Sequence, residues 1–371
     1  MTKQHLSTAS CASHTPVPAA DEQAQVHPLL AHRFVTVLPG VRVQRRAAVV
    51  GLILIVACLG IGTSALLIGD YPMSAAEAVA HLFGVGSDPL GQFFVQQQRL
   101  PRVAAALCVG ACLGVSGCIF QQLSANSLGS PDIIGFTTGS ASGAVTTIIL
   151  LGGSPWQIAI GAVVGGVITA VVVYALALNN RKISAVRLVL VGIGVASILQ
   201  ALNALLIVGA ELSNAQTAAQ WLAGSFNATT WSEAGVAVAV VVCVIPCALL
   251  LSRPLAVMTS GDDVAVGLGV RVERRRAELI GVGVLLTALS VAIAGPIAFV
   301  ALAAPQLARR VAKVSGVGMG SAALMGAALV VASDVIAQRA LAPVQLPVGV
   351  VTGLLGGIYL VWLLRKQRKE S

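Results

Sequence analysis

The side chains that could do chemistry are few, and their placement excludes most of it. His5, His14, His27, His32 and His81 all lie outside the long apolar runs. Six of the seven cysteines (Cys58, Cys108, Cys112, Cys118, Cys243 and Cys247, all but Cys11) sit in apolar stretches with no histidine nearby. They read as small hydrophobes, and no metal site is expected. Cys108 and Cys112 share a helix face at i, i+4, yet a thiol pair in an apolar helix specifies no reaction. The apolar runs hold no paired carboxylates, and Asp334 is the single acid near the interior of one. An ion-coupled carrier would cluster ionisable groups near the bilayer midplane. A lone Asp334 fits a structural hydrogen-bond acceptor near the outer face better. The Gly-rich loop ending in Lys-Ser/Thr that cradles phosphates does not occur either. No enzymatic reaction is expected.

The densest polar stretch is Arg253 to Glu278, RPLAVMTSGDDVAVGLGVRVERRRAE, in a chain whose charged residues make up only 10%. Its centre is semi-apolar and glycine-punctuated, which a plain hydrophilic tether would not be. Gly261 can make a sharp turn, and Asp262 or Asp263 can cap a following short helix. That helix would present Val264, Ala265 and Leu268, with Gly269 and Val270 closing it before the basic run. A small apolar helix rimmed by Arg271, Arg274 and Arg275 fits a cleft in a soluble partner.

The elements that position this stretch are membrane spans. Hydrophobic residues make up 57% of the chain, and apolar runs of about 20 residues recur from residue 47 to residue 364. Ten crossings are expected: 47–69, 101–124, 133–152, 156–179, 187–209, 232–252, 277–298, a short 299–313, 319–338 and 348–364. Two amphipathic pieces lie between them, one within 70–100 and one around Trp221. The formal net charge of +9 is held in short clusters between spans, which reads as topology and not as a nucleic-acid surface. With ten crossings every strong basic cluster, from Arg42/Arg45/Arg46 to the tail after 364, falls on the cytoplasmic side, and so do both termini. Residues 1–40 are polar and weakly patterned, an expected disordered cytoplasmic tail. The fold class is thus an all-α polytopic membrane protein, with a membrane domain over 45–367 and a cytoplasmic loop at about 253–278.

Within the spans, Gly110, Gly114 and Gly117 form a small-residue ridge suited to close helix contact. Gln121, Asn126, Gln200 and Asn203 are polar groups that could face a water-filled route or bond neighbouring helices. A non-transporting membrane scaffold stays open on this evidence alone; ATP-dependent uptake into reconstituted vesicles would separate the two.

An ordered series of motifs adds to this reading. It comprises Arg99-Leu-Pro-Arg102, Asn126-Ser-Leu-Gly-Ser-Pro131, Trp221-Leu-Ala-Gly-Ser225, Gly261-Asp-Asp-Val-Ala-Val-Gly-Leu-Gly-Val270, Gly295-Pro-Ile-Ala-Phe299, Ala301-Leu-Ala-Ala-Pro305 and Leu346-Pro-Val-Gly349. In these, over about 45–367, the chain strongly resembles the iron-siderophore permease family. These are the membrane subunits of type II ATP-binding-cassette importers, which also include the vitamin B12 permease. Departures are local: Gln306 stands for a usual histidine, Gln345 for a usual glutamate and Gln338 for a frequent arginine. The resemblance implies a ten-helix subunit that pairs with itself or a paralogue. It also implies two cytoplasmic ATPases that hydrolyse the ATP, an extracytoplasmic siderophore-binding protein, and no cofactor bound by this chain. Ferric siderophore is the expected cargo, with corrinoid or haem as alternatives. It further implies that residues 261–270 receive the ATPase. Arg99, Arg102 and Arg339, at the outer ends of two spans, are expected to dock the binding protein through carboxylates on its lobes.

Overall fold

The structure, a computed structural model, describes residues 34–38, 41–67, 69, 71, 73–85, 88–179, 182–313, 317–342 and 344–370. The expected tail up to residue 33 lies outside the described residues, as do Arg181 and the side chains of Arg42, Lys182, Lys366, Arg368 and Lys369. Residues 1–45 form a unit by themselves, described as the hairpin β1 (Phe34–Leu38) and β2 (Val41–Gln44), with Phe34 opposite Gln44. Alternating Val and Thr residues favour this pleated pairing, so part of the expected tail is strand.

Residues 46–371 form the second unit, a helical membrane body. Its elements are α1 (Arg45–Leu67), α2 (Ala75–Leu82), α3 (Pro89–Leu123), α4 (Phe136–Leu151), α5 (Pro155–Ala177) and α6 (Ala185–Gly209). There follow α7 (Leu212–Leu222), α8 (Trp231–Leu250), α9 (Ser252–Met258), α10 (Asp262–Gly267), α11 (Val272–Ala294), α12 (Val300–Ala312), α13 (Met319–Arg339) and α14 (Val348–Glu370). A two-residue ladder, Leu178–Asn179 with Lys182–Ile183, joins α5 to α6. Seven helices (α1, α3, α5, α6, α8, α11 and α13) are long and apolar enough to cross a bilayer. The stretches expected as the third and tenth crossings contain the shorter apolar helices Phe136–Leu151 and Val348–Trp362. The expected eighth is only the 13-residue α12.

Helix α3 is the core. Of its most apolar window 78% is buried, against 17% for α6, whose large apolar side chains face outward. It starts twelve residues earlier than the sequence pattern suggests. Asp88 caps it by accepting from the Leu90 and Gly91 amides at 3.1 and 3.0 Å, with Pro89 at the first turn. A π-helical turn, Phe94–Arg99, then leads into Leu100-Pro101. A proline inside a helix cannot bond four residues back, and widening the preceding turn absorbs that loss.

Neighbouring helices approach α3 through missing side chains. A Cβ on Gly110 would run into the Gly326 carbonyl of α13, and one on Gly114 into the Ala322 carbonyl. Gly117 faces Ala301 of α12 instead, so the ridge serves two helices. The α4–α5 pair repeats the device, with Gly143 against Gly161 and Gly165 against Gly139. Between lipid-soluble helices, such close backbone contact supplies the dispersion energy that water exclusion cannot. Gly110→Val or Gly326→Val should therefore lower the detergent-solubilised chain's stability by about 3 kcal/mol, the upper end for overpacking. Gly194→Ala on α6, where a Cβ meets nothing within 4 Å, should leave the thermal midpoint unchanged. Equal behaviour of the three variants would disprove the packing account.

Candidate functional site

The 251–272 connector is folded onto the body. Leu255, Met258, Ala265 and Val272 are buried in one cluster with Cys118, Leu279 and Leu286. Gly261 at φ +115° turns the chain into α10, and Gly269 at φ +81° turns it out again. Both values are costly for a residue with a Cβ. Gly261 itself occupies the helix cap, and no side chain caps the helix. The expected aspartate cap is thus corrected: Asp262 and Asp263 lie in the first turn, where their charge suits the helix dipole. Asp262 instead takes both oxygens to Arg276 Nη2 at 3.0 Å, and Arg276 Nη1 donates to Glu273 at 3.0 Å. Arg274 and Arg275 donate to Glu278 at 2.9 and 2.6 Å. The presented face is also corrected. Ala265 is fully buried, while Val264, Val266 and Leu268 are exposed, Leu268 by 68%. One helical turn thus has an inward face that docks it and an outward face that is apolar and uncovered.

Beside α10 lies a polar cavity of about 850 Å3. It brings Gln121 and Asn126 together with Gly261, Asp262 and Arg276, and adds Gln306, Arg309 and Arg310 from α12. Gln121 donates to the Leu302 carbonyl at 2.9 Å and accepts from Arg309, so its bonds are interhelical. Asn126 accepts from the Leu128 amide at 2.9 Å, a local turn. Gln306 donates to the Ser127 carbonyl at 2.6 Å, tying α12 to that turn. Arg310 lies 5.9 and 5.5 Å from the ring centres of Tyr359 and Trp362, holding α14 to α12 by cation–π contact. In the sequence Arg309 and Arg310 form one of the basic clusters that mark topology; their place in the last turn of an amphipathic 13-residue helix is the signal for a further role.

Gln200 and Asn203 lie elsewhere, on α6. Gln200 is exposed, and Asn203 is buried with its Oδ1 lacking a partner among the described residues. The four polar residues do not converge on one route within this chain. Trp221 is half-buried on α7 and packs with Val145, Ile148 and Ala218.

At the opposite end the three arginines separate. Arg102 makes a two-point ion pair with Asp334, Nε to Oδ2 at 2.9 Å and Nη2 to Oδ1 at 2.8 Å, with Asp334 only 2% exposed. Gln338 donates to the same carboxylate at 2.9 Å, and Gln345 accepts from Arg102 Nη1 at 3.2 Å. Two of the family departures therefore complete one cluster. Asp334 is more than a hydrogen-bond acceptor: it is half of a buried salt bridge. Arg99 is buried too, donating to the Leu66 and Tyr71 carbonyls at 2.8 and 3.2 Å. Arg99 and Arg102 thus direct their forks inward, to the Leu66 and Tyr71 carbonyls and to Asp334. Arg339 remains exposed, with Nη2 on the Gly69 carbonyl at 2.8 Å. The segment near them that leads into α3 is pinned by Tyr71, whose hydroxyl donates to Asp88 at 2.7 Å and holds that carboxyl below its ordinary value. The Ser74 amide and hydroxyl do the same for Glu77 in a capping box.

Apolar spans around a glycine-packed core, with a docked amphipathic turn on a charged connector, define a polytopic helical membrane protein. The FecCD transport family matches residues 52–366, and the chain belongs to it. It is 43% identical to the ferric enterobactin transport system permease protein FepG of Escherichia coli (strain K12), over 89% of this chain and 99% of that one. It is 33% identical to the "Probable siderophore transport system permease protein YfhA" of Bacillus subtilis (strain 168), over 88% and 97% of the two chains. The cobalamin import system permease protein BtuC of Halobacterium salinarum is 35% identical over 81% of this chain and 80% of its own. A solved structure described as an inward-facing metal-chelate type ABC transporter superposes with TM-score 0.76 at 28% identity, covering 85% of this chain and 99% of that one.

Removing one partner of a buried ion pair strands the other, at a cost of about 3–5 kcal/mol. Asp334→Asn and Arg102→Gln should each lower the thermal midpoint of the purified chain sharply. Arg102→Met combined with Asp334→Leu should recover much of it. A double variant as unstable as the sum of the singles would show that the pair is not coupled.

Proposed function

We propose that this chain is the permease subunit of an ATP-driven importer that carries a ferric siderophore across the cytoplasmic membrane. The observation that carries the reading is the 43% identity, along nearly the whole of both chains, to a ferric enterobactin permease. In this reading the chain crosses the membrane ten times, α4, α12 and α14 completing the seven longer helices, and both termini are cytoplasmic. It has the type II importer fold and pairs with a second permease subunit around the pathway. A cytoplasmic ATPase dimer hydrolyses ATP, and an extracytoplasmic binding protein delivers the cargo. Iron is cargo here, chelated by its siderophore and not by side chains of this chain. Cobalamin is the second reading, supported by the 35% identity to a cobalamin permease. Uptake of labelled ferric enterobactin and of cobalamin into vesicles carrying the permease, ATPase and binding protein decides between them: ATP-dependent accumulation of cobalamin alone would overturn the siderophore assignment.

The ATPase contact is assigned to Gly261, Asp262, Asp263, Leu268, Gly269 and Val270, with Ala265 as the inward anchor. The exposed apolar face of Val264, Val266 and Leu268 supports it, because an uncovered apolar turn on a polar connector calls for a partner. Leu268→Asp should abolish cargo-stimulated ATP hydrolysis and uptake while the permease still inserts and pairs. Ala265→Arg should fail earlier, by undocking the turn. A Leu268→Asp permease with full ATPase binding and transport refutes the assignment.

Binding-protein docking is assigned to Arg339, the outer arginine whose fork stays exposed, with Arg99 and Arg102 holding the surface that carries it. Arg339→Glu should weaken capture of the binding protein about tenfold, a loss of about 1.4 kcal/mol. Unchanged affinity in surface plasmon resonance, with a normal thermal midpoint, would remove Arg339 from the interface.

A further inference from the structure

The connector also borders a basic pocket of about 430 Å3, which shares the Gly269–Val270 turn with the proposed ATPase contact but is not lined by the exposed Leu268. Arg253, Arg271, Arg274 and Arg275 line it, with Val257 and the Gly269–Val270 turn between them. Arg274 and Arg275 share the carboxylate of Glu278. The side chains of Arg253 and Arg271 are exposed, and their guanidinium groups have no hydrogen bond or ion pair among the described residues. Four arginines thus line the pocket, and two of them share a single carboxylate. Arg275 and its partner Glu278 also border the mouth of a second groove of about 510 Å3, otherwise apolar, that runs between α8 and α11 past Leu250, Gly281, Val282 and Leu285. Leu250 is 77% exposed there, and nothing lies within 4 Å of where a Gly281 Cβ would sit.

We infer that this is a binding site for an anionic phospholipid of the adjoining leaflet, its phosphate among the arginines and an acyl chain in the groove. Three observations select that occupant. The positive excess needs an anion, and guanidinium forks match phosphate oxygens in pairs. The groove is apolar and shares Arg275 with the pocket, so the ligand must be amphiphilic. Both walls are membrane-crossing helices, so lipid chains reach the groove without leaving the bilayer. The rise from Arg275 to Leu285 is about 15 Å at 1.5 Å per residue, half of the ~30 Å hydrocarbon core and the length of one leaflet's chains. A soluble polyanion would leave the groove empty, and a zwitterionic headgroup would set its own cation against four others. Bound phosphate would brace the Gly269–Arg271 turn, the hinge between α10 and α11. The inference rests on α8 and α11 crossing a bilayer and is independent of the cargo.

Native mass spectrometry of the delipidated full chain tests it, titrated with phosphatidylglycerol, phosphatidylcholine and inorganic phosphate. Phosphatidylglycerol should bind saturably and clearly more tightly than phosphatidylcholine. Since each arginine near an anionic surface contributes about 1 kcal/mol, Arg253→Gln with Arg271→Gln should weaken it by about tenfold to thirtyfold. Gly281→Trp, which starts from a Cβ position with nothing within 4 Å and projects into the groove, should weaken lipid and leave inorganic phosphate unaffected. Equal affinity for phosphatidylcholine overturns the proposal, as does phosphatidylglycerol binding that ignores both sets of changes. Full displacement of the lipid by inorganic phosphate, with Gly281→Trp inert, would make this a free-phosphate site. Intact lipid binding in an arginine variant that has lost ATPase association would make it a protein contact. Should the arginine variant fail to fold, the comparison of the two lipids on the native chain and the Gly281→Trp result decide alone.

Discussion

Backbone-to-backbone contact between α3 and α13 is the constraint on which the remaining packing depends. Gly110 and Gly114 meet Gly326 and Ala322 with no side chain between them, so the two helices cannot slide or separate without losing that surface. The Arg102–Asp334 pair then clamps the same two helices near one end, in a setting where neither charge is tolerable alone. Gly117 extends the contact to α12, and Gln121 with Arg309 fixes the other end of α3 to that short helix. A helix of only 13 residues holds its place because its partners are buried polar bonds as well as apolar contacts.

This arrangement divides the molecule by mechanical role. The α3–α12–α13 centre is dense and polar-stitched, whereas α5 and α6 keep most of their apolar side chains outward. The connector is attached at Leu255, Met258 and Ala265, near the end of α3 that also bonds Arg309. A force applied to α10 would therefore reach the core through packed side chains, and the 850 Å3 cavity beside it leaves room for that turn to shift.

The departures from the family pattern make physical sense together. Gln338 and Gln345, where the family resemblance implies a cation and an anion, both converge on one ion pair. Replacing the two by neutral amides keeps the local charge balanced, and each amide still satisfies one side of the Arg102–Asp334 pair. Gln306 keeps a donor, spent on the Ser127 carbonyl.

Hydropathy and glycine spacing alone determined the helical membrane class, the order of the helices and most of their ends, because lipid forces every backbone group into a helix whatever its neighbours. They also marked the 253–278 connector and its two turning glycines. They marked α12 as short, but could not say that α4 would have only 16 residues, nor that α3 would begin at Pro89 across a π turn, since those lengths follow from what each helix meets. The same limit applies to the arginines. Arg99, Arg102 and Arg339 look alike in sequence, but only the fold decides that Asp334, 232 residues away from Arg102, completes a buried pair while Arg339 stays at the surface. Ala265 and Leu268, three positions apart, were assigned one face; the turn's docking onto α9 and α11 buried the first and left the second free. Local spacing encodes secondary structure and lipid exposure, whereas partner choice for a polar group depends on contacts between distant segments, which only the assembled tertiary structure decides.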